Sequence, residues 1–301
     1  MPAHWHILGT GAMGCLFASY LARQRIPLTL LPRQPAEPGD ITLVVDGLGG
    51  GHRYQLPWET AGSDGPISHL LVTTKAYDVA PAVASVAHRL RPDTVVLLMA
   101  NGIGFEREVR ARVPGLAPTL GTTTEGAYRE ARWRVRHAGR GATRIGLPGG
   151  AGAPAWFANW RAAVPDCHWD MAIEQALWRK LAINCAINPL TALHGCANGQ
   201  LGADPGLAAQ VRALCAEIER IGIAAGQASA VTDLEAAVFA VIAGTADNQS
   251  SMLQDVRAGR RTEIDYITGH LLATATAHGL DAPRNRELMD KITAQEPSAD
   301  A

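Results

Sequence analysis

The chain has 301 residues, 47% of them hydrophobic, so it is long enough to bury a sizeable core and is expected to form two domains. Its 27 Lys and Arg residues nearly balance its 28 Asp and Glu residues, which argues against nucleic acid or an anionic membrane surface as a general partner. The five cysteines include no CxxC pair and are odd in number, which argues against a zinc site and a disulfide framework. We expect most of the cysteines to be buried as small hydrophobic residues in a reducing compartment. We expect a cytoplasmic protein, because no secretory signal and no apolar run of about 18 residues is visible.

The first half of the chain alternates strand and helix patterns. Apolar residues 5–8, a glycine turn, a helical pattern over residues 15–23 and an apolar run over 27–31 predict a βαβ unit. Further strands are predicted over residues 41–45, 69–73, 94–99, 116–123 and 133–145, a helix over 79–89, and a surface loop over 147–154. This alternation is typical of an α/β domain.

The pattern changes near residue 170. Helices are predicted over residues 173–193, 206–225, 232–243 and 262–278, and strand candidates become scarce. We therefore predict an α/β domain over residues 1–168 and an all-α domain over residues 169–301. The tail from residue 295 to 301 is predicted to fray.

A glycine motif follows the first predicted strand. Gly9, Gly11 and Gly14 form G-x-G-x-x-G in the run Gly9-Thr10-Gly11-Ala12-Met13-Gly14. In dinucleotide-binding proteins the first glycine permits a tight turn, the second admits the pyrophosphate and the third allows close helix packing. The position between a strand and a helix favours this interpretation over a glycine turn without a ligand.

The end of the second strand indicates which dinucleotide is bound. NAD-binding proteins usually place an acid about 20 residues after the glycines, for the ribose 2′-hydroxyl. Here the strand ends in Pro32 and Arg33, and Glu37 lies further along. Because the guanidinium of Arg33 can pair with a 2′-phosphate, NADPH is favoured over NADH; a solvated surface arginine is the alternative.

A polar stripe follows one side of an otherwise apolar helix pattern at residues 177–190. Lys180, Asn184 and Asn188 recur at i, i+4 and i+8, so they share one face. Burial of such groups is costly without partners, and a ligand with oxygen atoms would supply them. The alternative is a solvated face or an internal network. A lysine whose pKa is lowered by burial is a suitable general acid.

A second polar group spans residues 250–255 and precedes Glu263. A serine hydroxyl there can donate to a carboxylate, and Glu263 can accept from a substrate hydroxyl or hold Lys180 in place. A serine that caps a charged, solvated helix is an equally good interpretation of this pattern.

Together these stretches resemble the 2-dehydropantoate 2-reductase (ketopantoate reductase) family over nearly the whole chain. The resemblance rests on residues 9–14, 71–77, 100–104, 121–124, 178–181, 188–191, 197–199, 250–255 and 262–266. It implies an N-terminal Rossmann-type dinucleotide-binding domain over residues 1–168 and an all-α substrate and catalytic domain over residues 169–301.

The resemblance also implies roles for individual residues. Lys180 matches the catalytic general acid, and Glu263 matches the acid at the substrate and nicotinamide end. The substrate-binding positions are Asn184, Asn188, Asn198 and Ser251. The cofactor-binding positions are Gly9, Thr10, Gly11, Ala12, Met13, Gly14, Arg33, Lys75 and Asn101, of which Arg33 and Lys75 would serve the 2′-phosphate and Asn101 the nicotinamide ribose. No metal is implied.

The implied activity is NADPH-dependent reduction of 2-dehydropantoate to pantoate, a step of pantothenate and coenzyme A biosynthesis. The expected partners are NADPH/NADP⁺ and a small 2-keto acid, without nucleic acid or membrane, and a homodimer is left open. A related reductase of another 2-keto acid and a non-catalytic NADPH-binding redox sensor are the alternatives; the matched catalytic positions argue against the sensor.

Two features depart from the family pattern, the Arg260-Arg261 pair and Glu125, whose side chain is expected to point outward.

Overall fold

The computed structural model describes residues 3–297. The chain forms two compact units. The first runs to Ala100 and includes Phe105–Ile173, and the second combines Asn101–Gly104 with the chain from Glu174 onward. The functional division into domains 1–168 and 169–301 stays a prediction.

The first unit contains all the strands of the described chain, in two sheets. The strands are β1 Trp5–Leu8, β2 Leu28–Leu31, β3 Ile41–Gly47, β4 His52–Leu56, β5 His69–Val72, β6 Val95–Leu98, β7 Thr119–Thr123, β8 Gly126–Ala131, β9 Arg134–Gly139, β10 Thr143–Gly146 and β11 Cys167–Trp169. The larger sheet has the order β11-β10-β7-β6-β5-β1-β2, and the smaller has the order β4-β3-β9-β8.

The large sheet is parallel from β2 to β7 and is covered on both faces. All four residues of β1 are buried, as expected for a central parallel strand. Helices α1 Ala12–Arg23, α2 Ala76–Ser85, α3 Phe105–Arg112 and α4 Trp156–Ala163 connect or flank the strands. The predicted Rossmann-type α/β arrangement is therefore confirmed.

The order of the strands creates a switch point at β1. Strand β1 pairs in parallel with β2 on one side and with β5 on the other. The connections that leave the carboxyl ends of β1 and β5 thus depart in opposite directions, which opens a crevice at that edge of the sheet. The glycine motif directly follows β1.

Several predicted strands of the first unit need correction. The single strand predicted over residues 133–145 is two strands, β9 and β10, which belong to different sheets. Strands β4, β8 and β11 were not predicted. Most residues of β4 are polar and exposed, and the last four residues of β8 are all exposed, so the hydrophobic alternation that identifies a half-buried strand is missing.

The second unit is helical. Its helices are α5 Ile173–His194, α6 Asn198–Ala203, α7 Pro205–Ala224, α8 Ala228–Val231, α9 Leu234–Gly244, α10 Ser251–Arg257, α11 His270–Ala277 and α12 Pro283–Thr293. The four predicted helices are confirmed, with one change. The helix predicted over 262–278 contains a π-helical turn at Asp265–Gly269 before α11. Such turns are rare and often lie at functional sites.

The core of the second unit is built around α5. Leu181, Ala182, Cys185 and Ala186 are almost completely buried and pack with apolar residues of α7, α9 and α11. The five cysteines are all free and buried, as predicted. In the part of the chain that the structure describes, no helix is long and apolar enough to span a membrane.

Candidate active site

Each glycine of the turn after β1 has the geometry that the sequence motif predicts for it. Gly9 has φ +98°, and a Cβ there would lie 2.6 Å from the backbone nitrogen of Thr74. A Cβ on Gly14 would overlap the carbonyl oxygen of Gly9 and the hydroxyl of Thr73, whereas one on Gly11 would meet nothing within 4 Å. The turn is therefore tight at Gly9, closely packed at Gly14 and open at Gly11.

Sequence reasoning missed the contribution of Thr73 to this turn. The Thr73 hydroxyl donates a hydrogen bond of 2.7 Å to the carbonyl of Gly9 and so holds the turn against the end of β5. The sequence signal was its position directly after the strand that pairs with β1.

The start of α1 fits an anionic ligand. Helix α1 begins at Ala12, with Gly11 as its N-cap, and no side chain of the described residues caps this end. Its first N–H groups and the helix dipole therefore favour a negative group next to the open side of Gly11. Together, the open glycine and the uncapped helix fit the pyrophosphate of a dinucleotide.

Two cations follow β2 and β5, the strands that flank β1 in the larger sheet. Arg33 lies just beyond β2, its side chain is 89% exposed, and its guanidinium is 3.4 Å from the Asp78 carboxylate. Lys75 lies beyond β5 as the N-cap of α2. Both residues are therefore at the carboxyl edge of the sheet, where a 2′-phosphate was predicted to bind; that role stays a prediction.

In the second unit, the predicted polar stripe lies on a single helix. Lys180, Asn184 and Asn188 are all on α5, with apolar residues buried between them. Lys180 and Asn184 are partly exposed, and Asn188 is buried. The spacing predicted from the sequence is thus realised in the structure as one polar face on a buried helix.

Lys180 and Glu263 lie close enough in this unit for their charges to interact. Burial lowers the pKa of Lys180 to about 8, and the nearby Glu263 carboxylate acts in the opposite direction. Glu263 itself is only 4% exposed. A lysine in this state is charged at neutral pH yet gives up its proton more readily than an exposed lysine does.

Asn101 is hydrogen-bonded to Glu263, the carboxylate of this pair. Its side-chain amide donates a hydrogen bond of 3.1 Å to Oε2 of Glu263. The backbone N–H of Ile103 donates to the carbonyl of Tyr266 at 3.0 Å, and Gly102, with φ +87°, lies against that carbonyl so closely that a Cβ would overlap it. Residues 101–104 therefore fold with the helical unit, although they follow β6 in the chain. The predicted role of Asn101 at the nicotinamide ribose is untested by these contacts.

The remaining predicted substrate positions differ in their surroundings. Asn198 is buried, its amide donates to the hydroxyl of Thr245 at 2.8 Å, and its Oδ1 has no hydrogen-bond partner among the described residues. Ser251 is exposed at the start of α10. The neighbouring Ser250 is the N-cap, since its side chain accepts from the N–H of Leu253 at 3.1 Å, so the capping interpretation is correct for Ser250.

The prediction that Glu125 points outward is wrong. Its side chain is 2% exposed, lies 2.6 Å from Nε2 of His137, and accepts a hydrogen bond of 3.1 Å from the hydroxyl of Tyr20. Burial, and then the Glu125 carboxylate, raise the pKa of Tyr20. These partners satisfy a buried charge inside the first unit, which the sequence alone did not reveal because they lie more than one element away.

Over residues 3–297, no group of His, Cys, Asp and Glu side chains is arranged to hold a metal ion. The functional groups available are thus an anion-binding glycine turn, nearby cations, and a lysine with a carboxylate and several amides.

Comparison with known proteins covers both units. Residues 5–150 match the model of the family described as ketopantoate reductase PanE/ApbA, and residues 172–296 match the model of its C-terminal part. A 2-dehydropantoate 2-reductase from Vibrio cholerae is 37% identical over 299 residues, with 97% of each chain covered. One from Shigella flexneri is 38% identical, with 96% of this chain and 94% of the relative covered. The crystal structure of a probable 2-dehydropantoate 2-reductase from Bacillus subtilis has a TM-score of 0.80 at 28% identity and covers 97% of this chain and 100% of that one.

Proposed function

We propose that this chain, which belongs to the ketopantoate reductase PanE/ApbA family, reduces 2-dehydropantoate to pantoate with NADPH. The observation that carries the proposal is the near full-length similarity to relatives named for this reaction. The chemistry of Lys180, Glu263 and the glycine turn agrees with it. Pantoate is the product that pantothenate and coenzyme A biosynthesis require.

The glycine turn and its neighbours are the proposed cofactor site. Gly9–Gly14 and the start of α1 would hold the pyrophosphate, and Arg33 and Lys75 would pair with the 2′-phosphate. Asn101 would serve the nicotinamide ribose. The bound nicotinamide supplies the hydride that the ketone carbon accepts.

Lys180 is the proposed general acid. Negative charge grows on the carbonyl oxygen as the ketone is reduced, and an ammonium directed at that oxygen stabilises the charge and donates a proton from Nζ. The lowered pKa of Lys180 makes this proton transfer easier, while Glu263 keeps the lysine protonated before the reaction.

The amides of the helical unit are the proposed substrate contacts. Asn184 and Asn188 share the face of Lys180 on α5, and Asn198 has an unused acceptor in a buried position. An acceptor of this kind can receive a hydrogen bond from a hydroxyl group, which the substrate carries in addition to its keto group. Ser251 would donate from its hydroxyl to the carboxylate.

The reaction needs only small diffusible molecules. We therefore propose a cytoplasmic location, with neither nucleic acid nor membrane as a partner. Sedimentation of the purified protein would distinguish a monomer from the homodimer that the sequence leaves open.

The most specific test of the reaction follows an isotope. NADPH deuterated at C4 of the nicotinamide, in each of its two configurations, is incubated with the protein and 2-dehydropantoate, and the product is analysed by mass spectrometry. Pantoate that carries deuterium at C2 from one of the two configurations is the expected result. The same incubations are run with other 2-keto acids, and the Kd of NADPH is measured in parallel. Deuterium transferred only to a different keto acid would indicate a related reductase, and tight NADPH binding without any transfer would indicate a sensor.

A further inference from the structure

The end of the described chain is bonded to the residue that precedes Glu263. After α12 the N–H of Glu296 bonds to the carbonyl of Thr293, and this turn brings the Glu296 side chain to Thr262. One carboxylate oxygen accepts two hydrogen bonds there, from the N–H of Thr262 at 2.8 Å and from its hydroxyl at 2.6 Å. The prediction of a frayed tail is thus wrong for Glu296, while residues 298–301 lie outside the described part of the chain.

These bonds restrain Thr262 strongly. Thr262 is 1% exposed, and both of its donors point to the same carboxylate oxygen. Its hydroxyl oxygen also accepts from the N–H of Ile264 at 3.2 Å, so it caps the turn that begins there. Hydrogen bonds to a charged acceptor are shorter and stronger than neutral ones, and burial increases the cost of losing them.

Glu263 is therefore held from both sides. On its N-terminal side is Thr262, fixed by Glu296; on its C-terminal side the carbonyl of Glu263 accepts from the N–H groups of Tyr266 and Ile267, each at 3.1 Å. The residue before Glu263 is held by Glu296, and the peptide group after Glu263 is bonded through both its carbonyl and the N–H of Ile264. These bonds restrain the direction in which the Glu263 side chain leaves the backbone. That side chain is buried and bonds to Asn101.

Glu296 is supported by a packed helix. Helix α12, which ends just before it, lies against the π-helical turn: a Cβ on Gly269 would be 3.3 Å from Cε of Met289. The turn that carries Glu296 is thus anchored to the same structure that carries Glu263. The hydrogen bonds from Thr262 to Glu296 are a second connection between the end of α12 and the segment that carries Glu263.

We propose that Glu296 is a positioning residue for Glu263, and that it acts by holding Thr262. Glu296 touches no reacting atom. The proposal rests on the proposed function, because Glu263 has a catalytic role only if the reaction takes place. It predicts that loss of Glu296 misplaces the Glu263 carboxylate relative to Lys180 and the substrate, and a misplacement of about 1 Å can lower a rate by about a hundredfold.

A second interaction of Glu296 has to be separated from this one. The Glu296 carboxylate also lies close enough to Arg261 to stabilise its charge, although Arg261 bonds principally to Asp265, at 2.8 Å. Glutamine at position 296 keeps an oxygen that can accept from Thr262 but removes the charge. Glu296→Gln therefore retains the positioning bonds and removes the attraction to Arg261.

The experiment compares Glu296→Ala, Glu296→Gln and Glu287→Ala. Glu287 is a matched control, since it is an exposed carboxylate on α12 that pairs with Lys291. For each purified variant, kcat, KM for 2-dehydropantoate, the Kd of NADPH and the unfolding temperature are measured. Glu296→Ala is expected to lower kcat between about 10- and 100-fold with a smaller change in KM and an unchanged NADPH Kd. Glu296→Gln and Glu287→Ala are expected to stay within about threefold of the wild type.

Amide hydrogen exchange supplies a measurement that does not depend on activity. Exchange of the Thr262 and Ile264 amides is expected to be faster in Glu296→Ala than in the wild type and Glu296→Gln. A kcat for Glu296→Ala equal to that of an active wild type, or a Gln variant as slow as the Ala variant, would overturn the positioning role. A wild type without turnover would instead contradict the proposed function. In that case, equal exchange of the Thr262 amide in Glu296→Ala and in the wild type would overturn the proposal that Glu296 restrains Thr262.

Discussion

At the scale of single residues, the chemistry depends on how Lys180 stays charged although it is largely withdrawn from solvent. Buried apolar residues of the same helix, Trp178 and Leu181, lie near the lysine in sequence, and burial favours its neutral amine. Glu263 opposes that effect and keeps the pKa at about 8. The sequence predicted the lysine and its spacing to the asparagines, but it did not predict that Glu263 would in turn bond to Asn101, 162 residues away in the chain.

Removal of the lysine should affect the chemical step alone. Lys180→Ala is expected to lower kcat by about 10²–10⁴-fold, the usual contribution of a positioned acid. The Kd of NADPH, measured by fluorescence titration, should not change. Lys291→Ala, which removes an exposed lysine of α12, is the control. A near-normal kcat for Lys180→Ala would remove the lysine from the mechanism.

The pH dependence of kcat should report the pKa of the lysine. Since the protonated lysine is the active form, reduction is expected to proceed fully below pH 8 and to slow as the pH rises through about 8. Glu263→Gln removes the charge that raises this pKa, so the alkaline limb should move to lower pH. A limb that stays at the same pH in this variant, or a flat profile in the wild type, would argue against the assigned pair.

Arg33 should distinguish the two dinucleotides. Its exposed guanidinium contacts Asp78 at 3.4 Å and can bind a phosphate bidentately instead. Arg33→Ala is therefore expected to weaken NADPH much more than NADH, as measured by the Kd of each. Equal losses for both would refute the role at the 2′-phosphate.

At the scale of elements, the glycine turn was the easiest feature to predict and the exposed strands were the hardest. A G-x-G-x-x-G run needs backbone geometry that few other residues permit, so its sequence and its structure are tightly linked. Strands β4 and β8 are held by pairing with β3 and β9 rather than by an apolar face of their own. Their largely exposed sequences carry no local signal of that pairing.

Two glycines of the same turn should respond differently to an added methyl group. Gly11 has φ −79° and open space around its Cβ position, so Gly11→Ala is expected to leave the unfolding temperature unchanged but to raise the NADPH Kd at least tenfold. Gly14→Ala forces a clash with the Gly9 carbonyl, so it should lower the unfolding temperature as well. Unchanged NADPH binding by a stable Gly11→Ala would place the pyrophosphate elsewhere.

At the scale of the whole molecule, the fold class followed from local patterns of apolar residues, because such patterns mark helices and strands. Lys75, Asn101 and Asn198 were instead assigned by resemblance to the family, and the roles of the site residues stay predictions. Sequence reasoning did not anticipate that residues 101–104 fold with the helical unit, or that Glu296 reaches Thr262. Both connections join segments that are distant in sequence and depend on how whole helices pack. No local periodicity encodes them, so they could be found only in the structure.

The measurement that tests the central claim most directly is the steady-state rate of NADPH oxidation by the purified protein with 2-dehydropantoate, with NADH and other 2-keto acids assayed in parallel. We predict rapid oxidation of NADPH with 2-dehydropantoate, and a kcat/KM well above that for NADH or for any other keto acid. A higher kcat/KM for another keto acid would contradict the proposed substrate. No oxidation with any keto acid, in a protein that binds NADPH tightly, would contradict the proposed enzymatic function.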